Sequence, residues 1–401
     1  MKPVLWGLVL CLGLMNDVLG AKVWLGIDVL EKEMGFRPLM GKRVGLLTHD
    51  AAVNSEGQRT LDVLAGAKNV RLTTLFCPEH GLDGKTMANE FVAHGWDEKT
   101  KRPIFSLHGK YRAPTPEMLE GIDILVVDLQ DIGVRSYTYI SCMRYAVESC
   151  LRVGIDVLIL DRPNPLGGNK VSGPFMDEDR KSYVGAFNIP YVHGLTMGEL
   201  GRMVLDEKGS HRKARLDVVS MKGWRRSMRW HETGLKWVKT SPNIPDLAAV
   251  LGYTATGVGC LCGSLKNGAG GPHPFRLLSC ASLTDLPGLY ARLRAYRIPG
   301  VRFQWIDTKE VQGIYVVVDR WDLFDPGELT LRLLQTGIDL GHSSSKIPSI
   351  DEMMAHILGE NELIRALSQK GSAIDVPYFV GKWKTQALRY QKWVRRYWLY
   401  R

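Results

Sequence analysis

Ile122–Leu129 reads IDILVVDL and, after a helically spaced window over Ser136–Val153, Ile155–Asp161 reads IDVLILD. Each run is of strand length and apolar almost throughout, the pattern of strands buried on both faces. Lys42–Thr48 (KRVGLLT) and Val70–Cys77 have the same character, with helical spacing between them over Gln58–Ala65. Strand and helix alternating in this way imply a parallel sheet with right-handed crossovers. The predicted fold class is therefore α/β: a Rossmann-like parallel-sheet N-terminal domain over residues 21–245 and a smaller α+β C-terminal domain over 246–401 packed over the sheet edge. The second region is read from a strand at Val311–Val318, helical stretches at Leu329–Leu334 and Glu352–Ile357, a Ser-rich turn at Ser343–Ser345 and a terminal helix.

The chain has 401 residues, enough for two domains that each bury a core, and its 45% hydrophobic content excludes a disordered or collagen-like protein. Lys2 followed by the apolar run Val4–Leu14 and small Gly20-Ala21 reads as a secretory leader over residues 1–20, so the mature chain is expected to be exported. No other stretch is long and apolar enough to span a membrane. Beyond the leader lie Cys77, Cys142, Cys150, Cys260, Cys262 and Cys280. Cys260 and Cys262 are expected on one strand face, and Cys142 and Cys150 two turns apart on one helix, so no disulfide framework is predicted. Their spacing also lacks the Cys-x-x-Cys of a zinc or redox site.

The net charge of +10 is concentrated at the end of the chain: Lys382–Arg401 holds seven basic residues and no acidic one. Interleaved aromatics there suggest a nucleic-acid surface. However, Ala387, Tyr390, Val394 and Tyr397 recur at three- and four-residue steps, which predicts an amphipathic helix docked by its aromatics with a basic face in solvent, facing anionic envelope material if anything. No nucleic-acid partner is predicted.

Ligands of such sheets sit beyond the carboxyl ends of the strands. That rule selects Thr48-His49-Asp50, Pro78-Glu79-His80-Gly81, Asp128-Leu129-Gln130-Asp131 and Asp161-Arg162-Pro163-Asn164-Pro165. No Gly-x-Gly-x-x-Gly follows an early strand, and there is no P-loop, Gly-x-Ser-x-Gly or His-Glu-x-x-His, so no cofactor or metal is predicted. Carboxylates remain. Glu79, at the mouth of an apolar sheet, either acts as a general acid with a pKa raised by desolvation or caps the following loop or pairs with a nearby Arg. Asp128 and Asp131 either orient a sugar hydroxyl and support acid/base work or bond to nearby amides. Arg135 and Arg162 either hold a substrate carboxylate or form internal ion pairs with Asp131 or Asp161. His193 either lines the cleft or is a buried structural histidine, and Thr196 with Glu199 forms a capping box.

These residues lie in stretches that resemble the secreted exo-β-N-acetylmuramidases of peptidoglycan turnover, a glycoside hydrolase family. The matching motifs are Pro78–Gly81 (PEHG), Phe105–Tyr111 (FSLHGKY), Asp128–Tyr139 (DLQDIGVRSYTY), Leu160–Gly168 (LDRPNPLGG), Ser182–Gly185 (SYVG), His193–Thr196 (HGLT) and Ser241–Pro245 (SPNIP). The resemblance implies a Rossmann-like domain, a smaller second domain, a cleft between them and release of N-acetylmuramic acid from the non-reducing ends of peptidoglycan fragments. It implies Glu79, His193 and Asp128 as catalytic residues, and His80, Asp131, Arg135, Tyr137, Arg162, Asn164 and Asn243 as substrate-binding. The lactyl carboxylate of muramic acid gives Arg135 or Arg162 a purpose. Glycoside hydrolysis requires a proton for the leaving oxygen and a second group at the anomeric centre, either a carboxylate or the substrate's own acetamide. One stretch departs from the family: Cys260–Phe275 reads CLCGSLKNGAGGPHPF, where an acidic residue, Asn and a Gly-Arg-Gly-Thr turn are usual. The alternative reading is therefore a catalytically altered muropeptide-binding protein of the same fold, and a third is a hydrolase of another acidic sugar.

Overall fold

The computed structural model describes residues 23–87, 90, 92–209, 213–280, 283–341 and 350–401. The expected leader and the Ser343–Ser345 turn lie outside the described residues. After α1 (Gly26–Lys32), the first half of the chain builds β1 (Arg43–Thr48), α2 (Thr60–Gly66), β2 (Arg71–Cys77), β3 (Gly95–Asp97), β4 (Arg102–Ser106), β5 (Ile124–Asp128), α3 (Tyr139–Val153) and β6 (Asp156–Leu160). A two-stranded ribbon, β7 (Ser172–Phe175) and β8 (Pro190–Val192), then leads to α4 (Met197–Lys208) and β9 (Leu216–Val219).

The seven-stranded sheet has the order β3-β4-β2-β1-β5-β6-β9 and is parallel except at edge strand β3. All five residues of β5 are buried, as are the last five of β1, because helices cover both faces. Val23, Leu30, Leu61 and Leu64 of the α1/α2 side close one face, and Ile140, Met143, Val147 and Leu200 of α3 and α4 close the other. The four runs read as strands and the two helical windows thus match β1, β2, β5, β6, α2 and α3 to within a few residues. The edge pair β3–β4, strand β9 and the β7–β8 ribbon were not read from the sequence. They are short, and β3 and β4 are largely exposed or half-buried.

The rest of the chain forms α5 (Leu247–Gly259), a three-stranded antiparallel sheet of β10 (Leu277–Leu278), β11 (Val301–Asp307) and β12 (Gln312–Val318), α6 (Leu286–Ala295), α7 (Pro326–Gly341), α8 (Glu352–Leu358), α9 (Asn361–Lys370) and α10 (Val376–Val394). One apolar core runs without a break from the α3/α4 face of the large sheet through α5, α7 and α10 to Tyr397. Ala387, Tyr390, Val394 and Tyr397 are buried, as the spacing of the terminal helix predicts. The strand face expected to carry Cys260 and Cys262 is instead the end of a helix, with Cys260 capping α5 and Cys262 buried just beyond it. Thr256 and Val258 continue the helical spacing into a Gly-rich end, and that mixture obscured the helix. All six cysteines in the described residues are free. No helix among these residues is long and apolar enough to cross a membrane.

Candidate active site

Chain order reverses between β1 and β5: β1 leads through α2 to β2 on one side, and β5 leads through α3 to β6 on the other. The crevice of a doubly wound sheet opens at that switch point. Here His49, one residue past β1, accepts at Nε2 a hydrogen bond from the Gln130 amide (3.0 Å), two residues past β5. Burial and the Arg162 charge hold the His49 pKa down to about 3, so the ring is neutral with its proton on Nδ1.

Glu79 comes from the neighbouring strand end. Behind it the backbone turns sharply, with His80 at φ +74° and Gly81 at φ +77°. A left-handed histidine is unfavourable by about 1 kcal/mol and persists only where its surroundings enforce it. Here His80 Nδ1 is tied to the Thr86 carbonyl at 2.7 Å. The turn leaves Glu79 8% exposed, its Oε2 accepting from Thr138 Oγ1 at 2.7 Å and its Oε1 3.9 Å from His108 Nε2. Burial lowers the His108 pKa. Tyr139 Oη, 3.3 Å from the Glu79 carbonyl, donates to the Thr240 carbonyl at 2.8 Å and fixes the loop from beneath.

A second buried carboxyl, Asp131, accepts at Oδ2 from the Gly133 amide at 2.7 Å, and burial pushes its pKa up to about 7. His193 Nε2 lies 3.8 Å from the same oxygen. Its Nδ1 accepts from the Leu195 amide at 3.1 Å, and burial takes its pKa down to about 3, so the neutral ring carries its proton on Nε2, toward Asp131. Tyr253 reaches in from α5 and places Oη 3.2 Å from Ser136 Oγ. Burial raises its pKa, and the nearby Glu79 and Asp131 charges add to the rise, so this tyrosine lies within electrostatic reach of both carboxyls.

His49 Nδ1, His108 Nδ1, Gln130 Oε1, Asp131 Oδ1 and His193 Nε2 are buried without a hydrogen-bond partner among the described residues. Buried polar groups are nearly always paired, and these five are among fifteen such atoms in the described residues. Among the described residues no group of three His, Cys, Asp or Glu is placed to hold a metal ion.

Several expected site residues are used internally instead. Asp128 is fully buried; Thr60 Oγ1 donates to it, and Arg162 holds it with two bonds, from Nε to Oδ1 and from Nη2 to Oδ2 at 2.9 Å. Both oxygens of Asp128, expected as a catalytic group, are thus engaged inside the protein. The internal partner of Arg162 is Asp128 rather than Asp131 or Asp161. Arg135, expected to bind substrate, is engaged internally as well. Its guanidinium is fully buried and donates to the carbonyls of Pro174 (2.7 Å), Ile189 (2.9 Å), Ile357 and Leu358 (3.0 Å each). Asn164, expected to bind substrate, shapes its own turn: Oδ1 accepts from the Leu166 amide and Nδ2 donates to the Leu195 carbonyl, both at 3.0 Å. A side chain at Gly133, φ +84°, would run into this amide, which accounts for the glycine in Asp131-Ile132-Gly133. Tyr137 Oη donates to Thr240 Oγ1 at 2.9 Å. Asn243, half-buried, accepts from the Gly270 amide at 2.8 Å and so ties SPNIP to the divergent Cys260–Phe275 loop. The Thr196–Glu199 capping box forms as expected.

Sequence reasoning did not single out His108, Thr138 and Tyr253. His108 lay within a quoted motif, and recognising β4 as a strand would have put it at a strand end. Nothing local marks Tyr253, which reaches the crevice from α5.

Two family models match adjoining parts of the chain: Exo-beta-N-acetylmuramidase NamZ, N-terminal, over residues 44–248, and Exo-beta-N-acetylmuramidase NamZ, C-terminal, over residues 251–400. Over 389 residues the chain is 34% identical to the peptidoglycan beta-N-acetylmuramidase NamZ of Bacillus subtilis (strain 168), covering 94% of this chain and 92% of that protein. A crystal structure of a DUF1343 family protein from Bacteroides fragilis NCTC 9343 superposes with a TM-score of 0.83 at 34% identity, covering 95% of this chain and 99% of that one. A second DUF1343 protein of the same organism, at 24% identity and a TM-score of 0.69, shares the fold over the same fractions.

Proposed function

The chain belongs to the NamZ exo-β-N-acetylmuramidase family, and from that premise we propose that it is an exported glycosidase that removes N-acetylmuramic acid from the non-reducing ends of peptidoglycan fragments, with Glu79 as the proton donor. The observation that carries this reading is the setting of Glu79. Its carboxyl sits beside the switch-point crevice, oriented through Oε2 by Thr138, with Oε1 toward His108. Protonated, it delivers its proton to the glycosidic oxygen as the bond to the anomeric carbon breaks and positive charge develops on the sugar ring. The apolar leader Val4–Leu14 supports export.

With Asp128 closed off by Arg162 and Thr60, the second group at the anomeric centre is Asp131. Its Oδ1 has no partner among the described residues, and His193 lies beside its Oδ2. In the ionised form it either receives the N–H of the substrate acetamide or activates water; both uses require that free oxygen. The carboxylate of muramic acid falls to Arg112, in place of Arg135 and Arg162. Arg112 is exposed, stands 5.0 Å from the Tyr183 ring centroid and adds its charge to the burial that lowers the pKa of His108, the neighbour of Glu79.

The test is hydrolysis of a chromogenic β-muramide and of a muramyl-terminated disaccharide. Wild type is expected to release the sugar, Glu79→Gln and Asp131→Asn to lose at least about 100-fold in rate, and Arg112→Ala to raise KM on the muramide but not on the matching glucosaminide. Binding of the disaccharide without release by wild type would sink the catalytic reading and leave a muropeptide-binding protein.

A further inference from the structure

A groove of about 690 Å³ lies between α4, β7 and α10, and no residue of the Glu79 and Asp131 cluster lines it. It involves Met203 and Glu207, in the second half of α4, so it sits about 9–15 Å along that helix from the crevice end. Its floor is aromatic. Phe175 and Tyr390 pack edge to face at 5.8 Å between centroids, and Trp393 adjoins Tyr390 at 6.1 Å yet keeps 41% of its surface exposed. Arg396 stacks on the Trp393 ring at 4.8 Å and stiffens the platform. Amides stand at the edge: Asn188, and Gln386, whose Oε1 is buried without a partner among the described residues.

Four charged side chains line the groove, two acidic and two basic, and they differ in how they are engaged. Glu178 is paired with Lys181 (2.7 Å) and Glu207 with Arg144 (2.5 Å). Arg389 is exposed and has no ion pair among the described residues, so the groove presents one free cation beside an aromatic platform. A pyranose offers an apolar face of C–H groups to an aromatic ring, and its acetamide and hydroxyls suit planar amides. A carboxylate on the sugar matches the open guanidinium.

We propose that this groove is an accessory glycan-binding site, separate from the catalytic crevice, that takes an acetamido sugar carrying a carboxylate within a longer glycan chain. The choice of glycan rests on the glycosidase reading, whereas the site itself rests on Trp393, Gln386 and Arg389. It would hold a polymer on the enzyme while the chain end reacts elsewhere.

The test uses the full chain carrying Glu79→Gln, so that nothing is cleaved, and measures co-sedimentation with insoluble peptidoglycan and binding of a neutral N-acetylglucosamine tetramer. Trp393→Ala is expected to cut both at least fivefold. Arg389→Glu, at an exposed position with no fold to disturb, is expected to cut retention on peptidoglycan by a similar factor and leave the neutral tetramer within twofold. Placed in the wild-type enzyme, neither change should move kcat/KM on a small chromogenic muramide by more than twofold. Undiminished retention by both variants would overturn the proposal, as would small-substrate turnover falling in step with retention. Retention on anionic phospholipid vesicles but not on peptidoglycan would overturn it in favour of a lipid surface. Failure of the wild type to hydrolyse any muramide would overturn the glycosidase reading while leaving the retention result to decide the groove.

Discussion

Asp128 and Arg162 form a two-point ion pair sealed inside the protein, with Arg162 Nη2 donating to Asp128 Oδ2 at 2.9 Å, Nε donating to Oδ1, and the two side chains 0% and 3% exposed. The carboxylate ends β5 and the guanidinium begins the loop after β6, so the pair clamps the two strand ends beside the crevice. Removing one member leaves the other as a buried, unpaired charge, so Asp128→Ala is expected to lose about 3–5 kcal/mol of stability in urea titrations. Arg162→Lys should recover little, since an ammonium cannot make the paired bonds. A double change to Leu at 128 and Met at 162 should recover much of the loss. Were Asp128 instead a reacting group, Asp128→Asn would abolish turnover while leaving the unfolding midpoint in place.

Arg135 does a similar structural task over a longer distance. Its four carbonyl partners come from β7 (Pro174), the chain just before β8 (Ile189) and the end of α8 (Ile357, Leu358), so one side chain joins the first half of the molecule to the second. Burial lowers its pKa to about 10, which keeps it cationic at neutral pH. Arg135→Met strands these carbonyls in a dry interior and is expected to lose at least about 3 kcal/mol. The folded fraction should show an unchanged KM for muramides, whereas an arginine that held the lactyl carboxylate would show a higher KM and unchanged stability.

The pH dependence of stability reports on Asp131. Its pKa in the folded protein, about 7, is above the unfolded value of about 3.9. Between those values the unfolded chain gives up a proton that the folded chain keeps, so this group's contribution is full below pH 4 and is lost as the pH rises through 7. His49 and His193 act in the opposite sense. Each is about 3 when folded against about 6.5 unfolded, so their contribution is present above pH 6.5 and is lost as the pH falls toward 3. The two effects oppose each other between pH 4 and 6.5. Asp131→Asn removes one of them, and its stability relative to wild type is expected to climb across pH 4–7, measured by urea midpoints at half-unit steps. A flat difference would show that Asp131 titrates as it does in water.

The sheet was legible because IDILVVDL and IDVLILD are buried on both faces, and burial on both faces is written in the sequence as an unbroken apolar run. The strand-end rule then selected the segments that hold His49, Glu79 and Asp131, whereas His193 was read separately from its own stretch. The rule did not separate groups that face the crevice from groups that hold it together, because Asp128 and Asp131 are three residues apart and chemically identical. What distinguishes them is Arg162, which is 34 residues on from Asp128 and makes contact only once β5 and β6 are paired. Tyr253 was hidden for the same reason. The docking face of the terminal helix was legible in the steps Ala387, Tyr390, Val394 and Tyr397, but not what the last three residues do.

Those residues strap the end of the chain to the same strand end. Tyr400 Oη donates to Asp161 Oδ2 at 2.6 Å and accepts from the Met221 amide at 2.9 Å, while the Leu399 amide donates to Glu199 Oε1 at 3.0 Å. Asp161 also accepts from Thr196 Oγ1 and the Gly198 amide, each at 2.8 Å, and burial raises its pKa to about 6 against the opposing pull of those bonds. Tyr400→Phe deletes a hydrogen bond to a carboxylate and takes the acceptor from the buried Met221 amide, so a loss of about 1–3 kcal/mol is expected. A hydroxyl bonds an ionised carboxylate more strongly than a neutral acid. The loss should therefore be larger at pH 8 than at pH 5, below the Asp161 pKa. Deleting Leu399–Arg401 also removes the Leu399 bond and the bond from the Arg226 amide to the Arg401 carbonyl, and should cost more than Tyr400→Phe at both pH values. Equal stability of the truncated and full chains would show that the strap contributes nothing to holding β6.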